Sequence, residues 1–120
     1  MQGIGIDIER KMSEETARQI MGHILLPQEV AFQSGLKNMA TFVTLIFSAK
    51  ESLYKAIFPQ VRRILEFDCA AVTEIQPQAG CLTLMLQADL AFNLRKNMKF
   101  KVYFEWQGQA EDRVQTLAVI

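Results

Sequence analysis

Apolar and polar residues alternate near the start of the chain. Ile4, Ile6 and Ile8 fall on one side of an extended segment, and Gly3, Gly5, Asp7 and Glu9 on the other. That pattern predicts a strand over residues 3–9. The period then lengthens. Ser13 is placed to cap a helix, with Glu14 and Glu15 in its first turn, and the helix is expected to end near Gly22. Pro27 suits the first turn of a second helix that Gly35 closes. Asn38 predicts the cap of a third, longer helix over residues 39–58, which Pro59 ends. From Leu65 the period returns to two. Phe67, Cys69, Ala71, Thr73 and Ile75 alternate with Asp68, Ala70, Val72 and Glu74, so a strand is expected there. A turn over 76–80 and a partner strand over 81–88 follow. Residues 89–97 read as a basic-tipped connection or a short helix. Met98, Phe100, Val102, Phe104 and Trp106 share a face against Lys99, Lys101, Tyr103 and Glu105. A loop over 108–112 leads to a last strand over 113–120. One strand, three helices and then hairpins predict an α+β domain, an antiparallel sheet of about four to five strands on a long helix and two shorter ones.

Composition narrows the function classes. The 120 residues suit a single domain spanning 1–120, with 50% hydrophobic and 22% charged side chains. Intrinsic disorder requires lower hydrophobicity and a net charge. Thirteen basic residues balance thirteen acidic ones, which excludes a general nucleic-acid binder. The first ten residues carry Asp7 and Glu9, unlike a secretory leader. The weakly polar run over 39–49 is short for a bilayer span. Cys69 and Cys81 form no C-x-x-C pair and read as reduced thiols, so a cytoplasmic location is expected.

Asp7 and Glu9 leave one face of their strand, beside the space that Gly3 and Gly5 leave open. Paired carboxylates next to such space suit a hard cation whose shell phosphate oxygens complete. The same spacing also fits the solvated face of an edge strand. On the third helix, Phe42, Leu45, Ile46, Ala49, Leu53, Ala56 and Ile57 form an apolar stripe, and Thr44, Ser48, Glu51 and Lys55 lie opposite. Glu51 and Lys55, four apart, are placed as an intrahelical ion pair or as site residues. Val43, Phe47, Tyr54 and Phe58 widen the apolar surface and predict a second surface packed on that flank, from another domain or subunit. His23 reads as structural. Arg62, Arg63, Arg95 and Lys96 are basic residues within reach of a phosphate or on a solvated face.

Two segments together carry a family resemblance. Gly-Ile-Asp-Ile-Glu at residues 5–9 and Phe-Ser-Ala-Lys-Glu-Ser-Leu-Tyr-Lys-Ala at residues 47–56 resemble the paired motifs of the 4′-phosphopantetheinyl transferase superfamily. Thr16-Ala17-Arg18 and the Leu-Leu-Pro-Gln-Glu run at 25–29 are similar to the enterobactin synthase component D subgroup of its surfactin-type branch. The resemblance implies Mg²⁺-dependent transfer of phosphopantetheine from coenzyme A to a serine of an acyl or peptidyl carrier protein. By motif match, Asp7, Glu9 and Glu51 correspond to the metal ligands. Lys55 corresponds to a phosphate contact, and Lys50 to an assisting one. The serine proton would pass to Glu51 or to a metal-ordered water.

The chain departs from the family in informative ways. Phe47 stands where many surfactin-type members have tryptophan. Short synthases of this length carry an aliphatic residue at the Glu9 position and a Gly-Thr-Gly after the helix motif, where this chain has Ile57-Phe58-Pro59-Gln60. The serine-histidine motif of the surfactin-type first half has no counterpart here. The resemblance therefore implies the C-terminal half of a pseudo-twofold enzyme, completed by an N-terminal half or a second copy and weakly active or inactive alone. A self-standing short synthase and a non-catalytic interaction domain are the rival expectations.

Overall fold

The computed structural model describes residues 3–35 and 38–120. Five strands form one antiparallel sheet: β1 (Ile4–Arg10), β2 (Ala70–Gln76), β3 (Cys81–Leu86), β4 (Lys99–Gln107) and β5 (Arg113–Val119). Their spatial order is β1-β5-β4-β3-β2. Two α-helices, α1 (Glu14–Ile24) and α2 (Met39–Val61), and a run of 3-10 turns over Pro27–Gly35 precede β2. The α+β class and antiparallel sheet match the sequence pattern.

Ser13 caps α1, its Oγ accepting from Thr16 N at 3.1 Å. Asn38 caps α2, its Oδ1 accepting from Thr41 N at 2.8 Å. The Glu14 carboxylate accepts from Ala40 N as well, so the first turn of α1 serves the first turn of α2. The core lies between α2 and one face of the sheet. Phe42, Leu45, Ile46, Ala49, Leu53 and Ile57 meet Leu82, Leu84, Val102, Val114 and Ala118 there, all buried.

Several elements differ from expectation. Pro59 does not end α2, which continues to Val61 and closes at Arg62 (φ 57°), whose N–H donates to Phe58 O at 2.8 Å. A proline this near the end costs one helical hydrogen bond, and packing along the rest of the helix outweighs that loss. The second helix is 3-10 rather than α, and its first turn is fixed by Glu29, discussed below. A 3-10 turn over Phe67–Cys69 precedes β2, which carries a register shift between Val72 and Glu74. That bulge places Val72 opposite Leu84 and Ile75 opposite Leu82, so an even and an odd residue share one face. Residues 89–97 form turns around a bridge between Ala91 and Leu94, not a helix.

The apolar flank of α2 is mostly covered from within. Val43 is buried, and Phe47 and Tyr54 pack on Phe67 with ring centroids 5.3 and 6.3 Å apart. Phe58 alone of the four stands exposed. The expected second surface on that flank is thus supplied largely by this chain's own approach to β2.

Candidate functional site

β1 is inverted relative to hydrophobic expectation. Ile4, Ile6 and Ile8 are 65%, 49% and 57% exposed, whereas Gly5 is buried and Asp7 is 6% exposed. The glycines explain why. A Cβ on Gly5 would overlap Ser52 O and come within 2.7 Å of Ala56 N, and one on Gly3 would meet Ala56 O. Without those carbons the backbone of α2 settles directly on β1. Asp7 and Glu9 continue the same face. A solvated edge-strand face is therefore excluded for Asp7.

The polar stripe of α2 descends onto this contact rather than facing water. Thr44 and Ser48 are fully buried. Thr44 Oγ1 accepts from Met12 N at 3.0 Å. Ser48 Oγ lies 2.9 Å from Thr116 Oγ1, which donates to the Ser48 carbonyl. One and two turns further along come Glu51 and Lys55. Lys55 reaches across to β1, its Nζ 2.8 Å from Asp7 Oδ1 and 3.1 Å from Ile6 O. The ion pair it makes is with Asp7, not the expected intrahelical one.

Electrostatics ties the group together. Burial raises the Glu9 carboxyl, and the neighbouring Asp7 and Glu51 carboxylates raise it further, to about 7. Glu51 is also raised, by burial first and then by Asp7, with Lys55 opposing. Lys55 is raised above the usual lysine value, chiefly by its hydrogen bond to Asp7. Glu9 and Glu51 thus both feel the Asp7 charge, with the Lys55 ammonium opposing.

Asp7 Oδ2 is buried without a hydrogen-bond partner. An orphaned carboxylate oxygen beside two further carboxylates is the donor chemistry a hard divalent cation uses, so Asp7, Glu9 and Glu51 fit the expected metal. Among the described residues, no three carboxylate, imidazole or thiol side chains already converge as a metal cage. An apolar recess of about 190 Å³, lined by Tyr54, Phe58, Arg63, Ile64 and Leu65, opens beside Glu51 and Lys55.

Lys50 departs from its expected ligand-contact role. It is fully buried, and its ammonium donates to Ile24 O, Glu29 Oε1 and Phe67 O, each at 2.8 Å. An ammonium has three donors, and all are spent inside the fold. Burial lowers its pKa while Glu29 holds it up. Glu29, itself fully buried, accepts from Leu26 N at 2.7 Å and Val72 N at 2.6 Å as well. The pair joins α2 to the 3-10 run, to the approach to β2 and to β2 itself. Sequence reasoning noticed Glu29 only within a resemblance, because no periodicity links it to Lys50.

Of the other basic candidates, Arg63 lines the recess beside Glu51. Arg62 forms the cap of α2, and Arg95 Nε lies 3.1 Å from Asp89. Lys96 N donates to Asp89 Oδ1 at 2.8 Å. His23 is exposed at the end of α1. Cys69 and Cys81 are free thiols. No helix among the described residues is long and apolar enough to cross a membrane.

Comparisons with known proteins bear on the family and the fold. The profile of the 4′-phosphopantetheinyl transferase superfamily matches residues 3–118. Enterobactin synthase component D of Salmonella typhimurium is 41% identical over 75 residues, covering 62% of this chain and 32% of that protein. The protein of the same name from Salmonella typhi is 37% identical over 75 residues, with the same coverage. The match thus spans about a third of the length of these curated relatives. Among solved structures, the holo-[acyl-carrier-protein] synthase of Thermotoga maritima superposes with a TM-score of 0.68 at 20% identity, over 99% of this chain and 63% of that one. The synthase of Neisseria meningitidis gives 0.57 at 18%, over 98% and 95%. At those identities the two structures speak for the fold alone.

Proposed function

Because the chain belongs to the 4′-phosphopantetheinyl transferase superfamily, we propose that it carries the metal- and phosphate-binding part of a site that moves 4′-phosphopantetheine from coenzyme A to a serine of an acyl or peptidyl carrier protein. The observation carrying this reading is the buried Asp7 carboxylate. One oxygen is paired with Lys55 and the other is without a partner, with Glu9 and Glu51 alongside. Asp7, Glu9 and Glu51 would hold Mg²⁺. On those oxygens the ion supplies positive charge against the pyrophosphate of coenzyme A.

The chain's own residues do the rest. Lys55, half-exposed and on a flexible stem, turns to a phosphate oxygen and neutralises charge that builds there. Glu51 stands at the mouth of the recess, and in this reading Glu51 or a water ordered beside it takes the proton from the attacking serine. The serine oxygen bonds to the β-phosphorus, the bond to the bridging oxygen on the nucleotide side breaks, and adenosine 3′,5′-bisphosphate leaves. Tyr54, Phe58, Ile64 and Leu65 offer the uncharged pantetheine arm an apolar wall. Lys50 acts through the fold and not on the ligand. Two free thiols fit a reducing cytoplasm.

The relatives extend well beyond the stretch matched here, so we read residues 1–120 as one domain resembling the C-terminal half of such an enzyme. Full turnover would then need an N-terminal half or a second copy. A second reading is a self-standing short synthase; the Neisseria meningitidis synthase shares this fold over 95% of its length. Transfer of radiolabel from coenzyme A to an apo carrier protein separates the two. The half-site reading expects no more than trace labelling by the 120-residue chain and Mg²⁺-dependent coenzyme A binding that Asp7→Ala abolishes. Robust turnover by a defined oligomer would establish the short synthase, and metal-independent behaviour would leave only an interaction domain.

A further inference from the structure

Lys55 holds one of the two Asp7 oxygens, and the other has no partner. Its Nζ is 2.8 Å from Asp7 Oδ1 and 3.1 Å from Ile6 O, both oxygens of β1. The two partners differ in freedom. Asp7 is 6% exposed and held by its strand, whereas the Lys55 side chain is 51% exposed on a four-carbon stem. The carboxylate is the fixed member and the ammonium the mobile one. A hard cation sits about 2.1 Å from a carboxylate oxygen. An ammonium on Oδ1 leaves Oδ2 without a partner, and a divalent charge arriving there is still close enough to repel it.

We propose that Lys55 and the divalent cation compete for Asp7, so that metal binding displaces the ammonium and frees it to turn outward toward a phosphate. The proposal rests on the metal reading above and adds a sign to it. A lysine that merely supports the site would, when removed, weaken metal binding. A competing lysine, when removed, tightens it. Lys55 then has two partners in sequence, first Asp7 and then an anion, and the metal is what passes it from one to the other.

Calorimetric titration with Mg²⁺, repeated with Mn²⁺ by electron paramagnetic resonance, tests this on the 120-residue chain without phosphate ligands. Thermal melts accompany each variant. Lys55→Met keeps the stem and loses the charge, and it is expected to bind the ion about fivefold more tightly, the equivalent of one part-exposed ion pair. Lys55→Arg keeps a cation and should stay close to the parent. Asp7→Asn should abolish binding in either background. Should Lys55→Met fold poorly, Lys55→Gln makes the same comparison. Asp7-dependent binding that is unchanged or weaker in the charge-removing variant overturns the competition and leaves the metal site standing. Binding that is absent, or indifferent to Asp7, overturns the metal site and the competition together.

Discussion

Replacing Lys50 by methionine isolates the role of the buried ion pair. Methionine keeps the length and apolar stem, so the change is the loss of three charge-assisted hydrogen bonds to Ile24 O, Phe67 O and Glu29. Glu29 stays fully buried with only the Leu26 and Val72 amides to hold its charge. Stranding one member of a buried pair costs about 3–5 kcal/mol, against a total stability of about 5–15 kcal/mol for a domain. With a urea slope of roughly 1–1.5 kcal/mol per molar for a domain of this size, the midpoint should fall by about 2–5 M. Trp106, the single tryptophan, packs against the core and reports the transition by fluorescence. The double variant Glu29→Gln/Lys50→Met removes the stranded charge and should cost clearly less than the two single changes added together. Affinity for coenzyme A per folded molecule should be unchanged, in contrast to any change at Lys55. A midpoint shift worth less than about 1 kcal/mol would refute the reasoning, since a keystone cannot be removed so cheaply, and would return Lys50 to the ligand.

Two glycines should respond with opposite signs. Gly5→Ala drives a carbon into Ser52 O and close to Ala56 N, so it is expected to cost about 1–3 kcal/mol in chemical denaturation and to weaken Mg²⁺ binding by pushing Asp7 off α2. Gly22→Ala, within α1 and with nothing inside 4 Å of the new carbon, should stabilise by about 0.5–1 kcal/mol. The raised Glu9 carboxyl sets a pH dependence. Its folded pKa of about 7 lies above the unfolded value of 4.5, so the native state holds the extra proton between them. Stability without divalent cations should therefore fall as pH rises from 4.5 to 7 and level off above. After discounting for solvent screening the fall is about 1 kcal/mol. Saturating Mg²⁺ should flatten it, and melts at stepped pH that rise across this window would contradict the assignment.

What could be read from sequence, and what could not, follows from how each signal arises. The alternation of Ile4, Ile6 and Ile8 with Gly3, Gly5, Asp7 and Glu9 is local, and the strand formed as expected. Which face turns inward is not local. Isoleucines ordinarily claim the core, and only the fit of Gly5 beneath Ser52 and Ala56 reverses them. Lys50 and Glu51 are adjacent in the motif, yet neighbours on a helix point about 100° apart. One enters the core while the other reaches the site. The partner of Lys50 is Glu29, whose place depends on a 3-10 turn that the helical pattern disguised. The bulge in β2 likewise shifts the register without disturbing the apparent alternation of Ala71, Thr73 and Ile75. Local periodicity found the elements, and close backbone approach and buried charge decided their orientation.

The outward face of β1 also governs how the molecule behaves in bulk. Ile4, Ile6 and Ile8 are β-branched, and their strand lies at the border of the sheet. Border strands of that character template the addition of further strands. Losses on storage would then depend on collision frequency, rising with concentration well below the unfolding temperature. Arg10 and Arg113 stand directly opposite each other at one end of this face, with Asp112 3.9 Å from Arg113, and the chain's zero net charge adds no general repulsion between molecules. A dilute solution suits this chain better than a concentrated one.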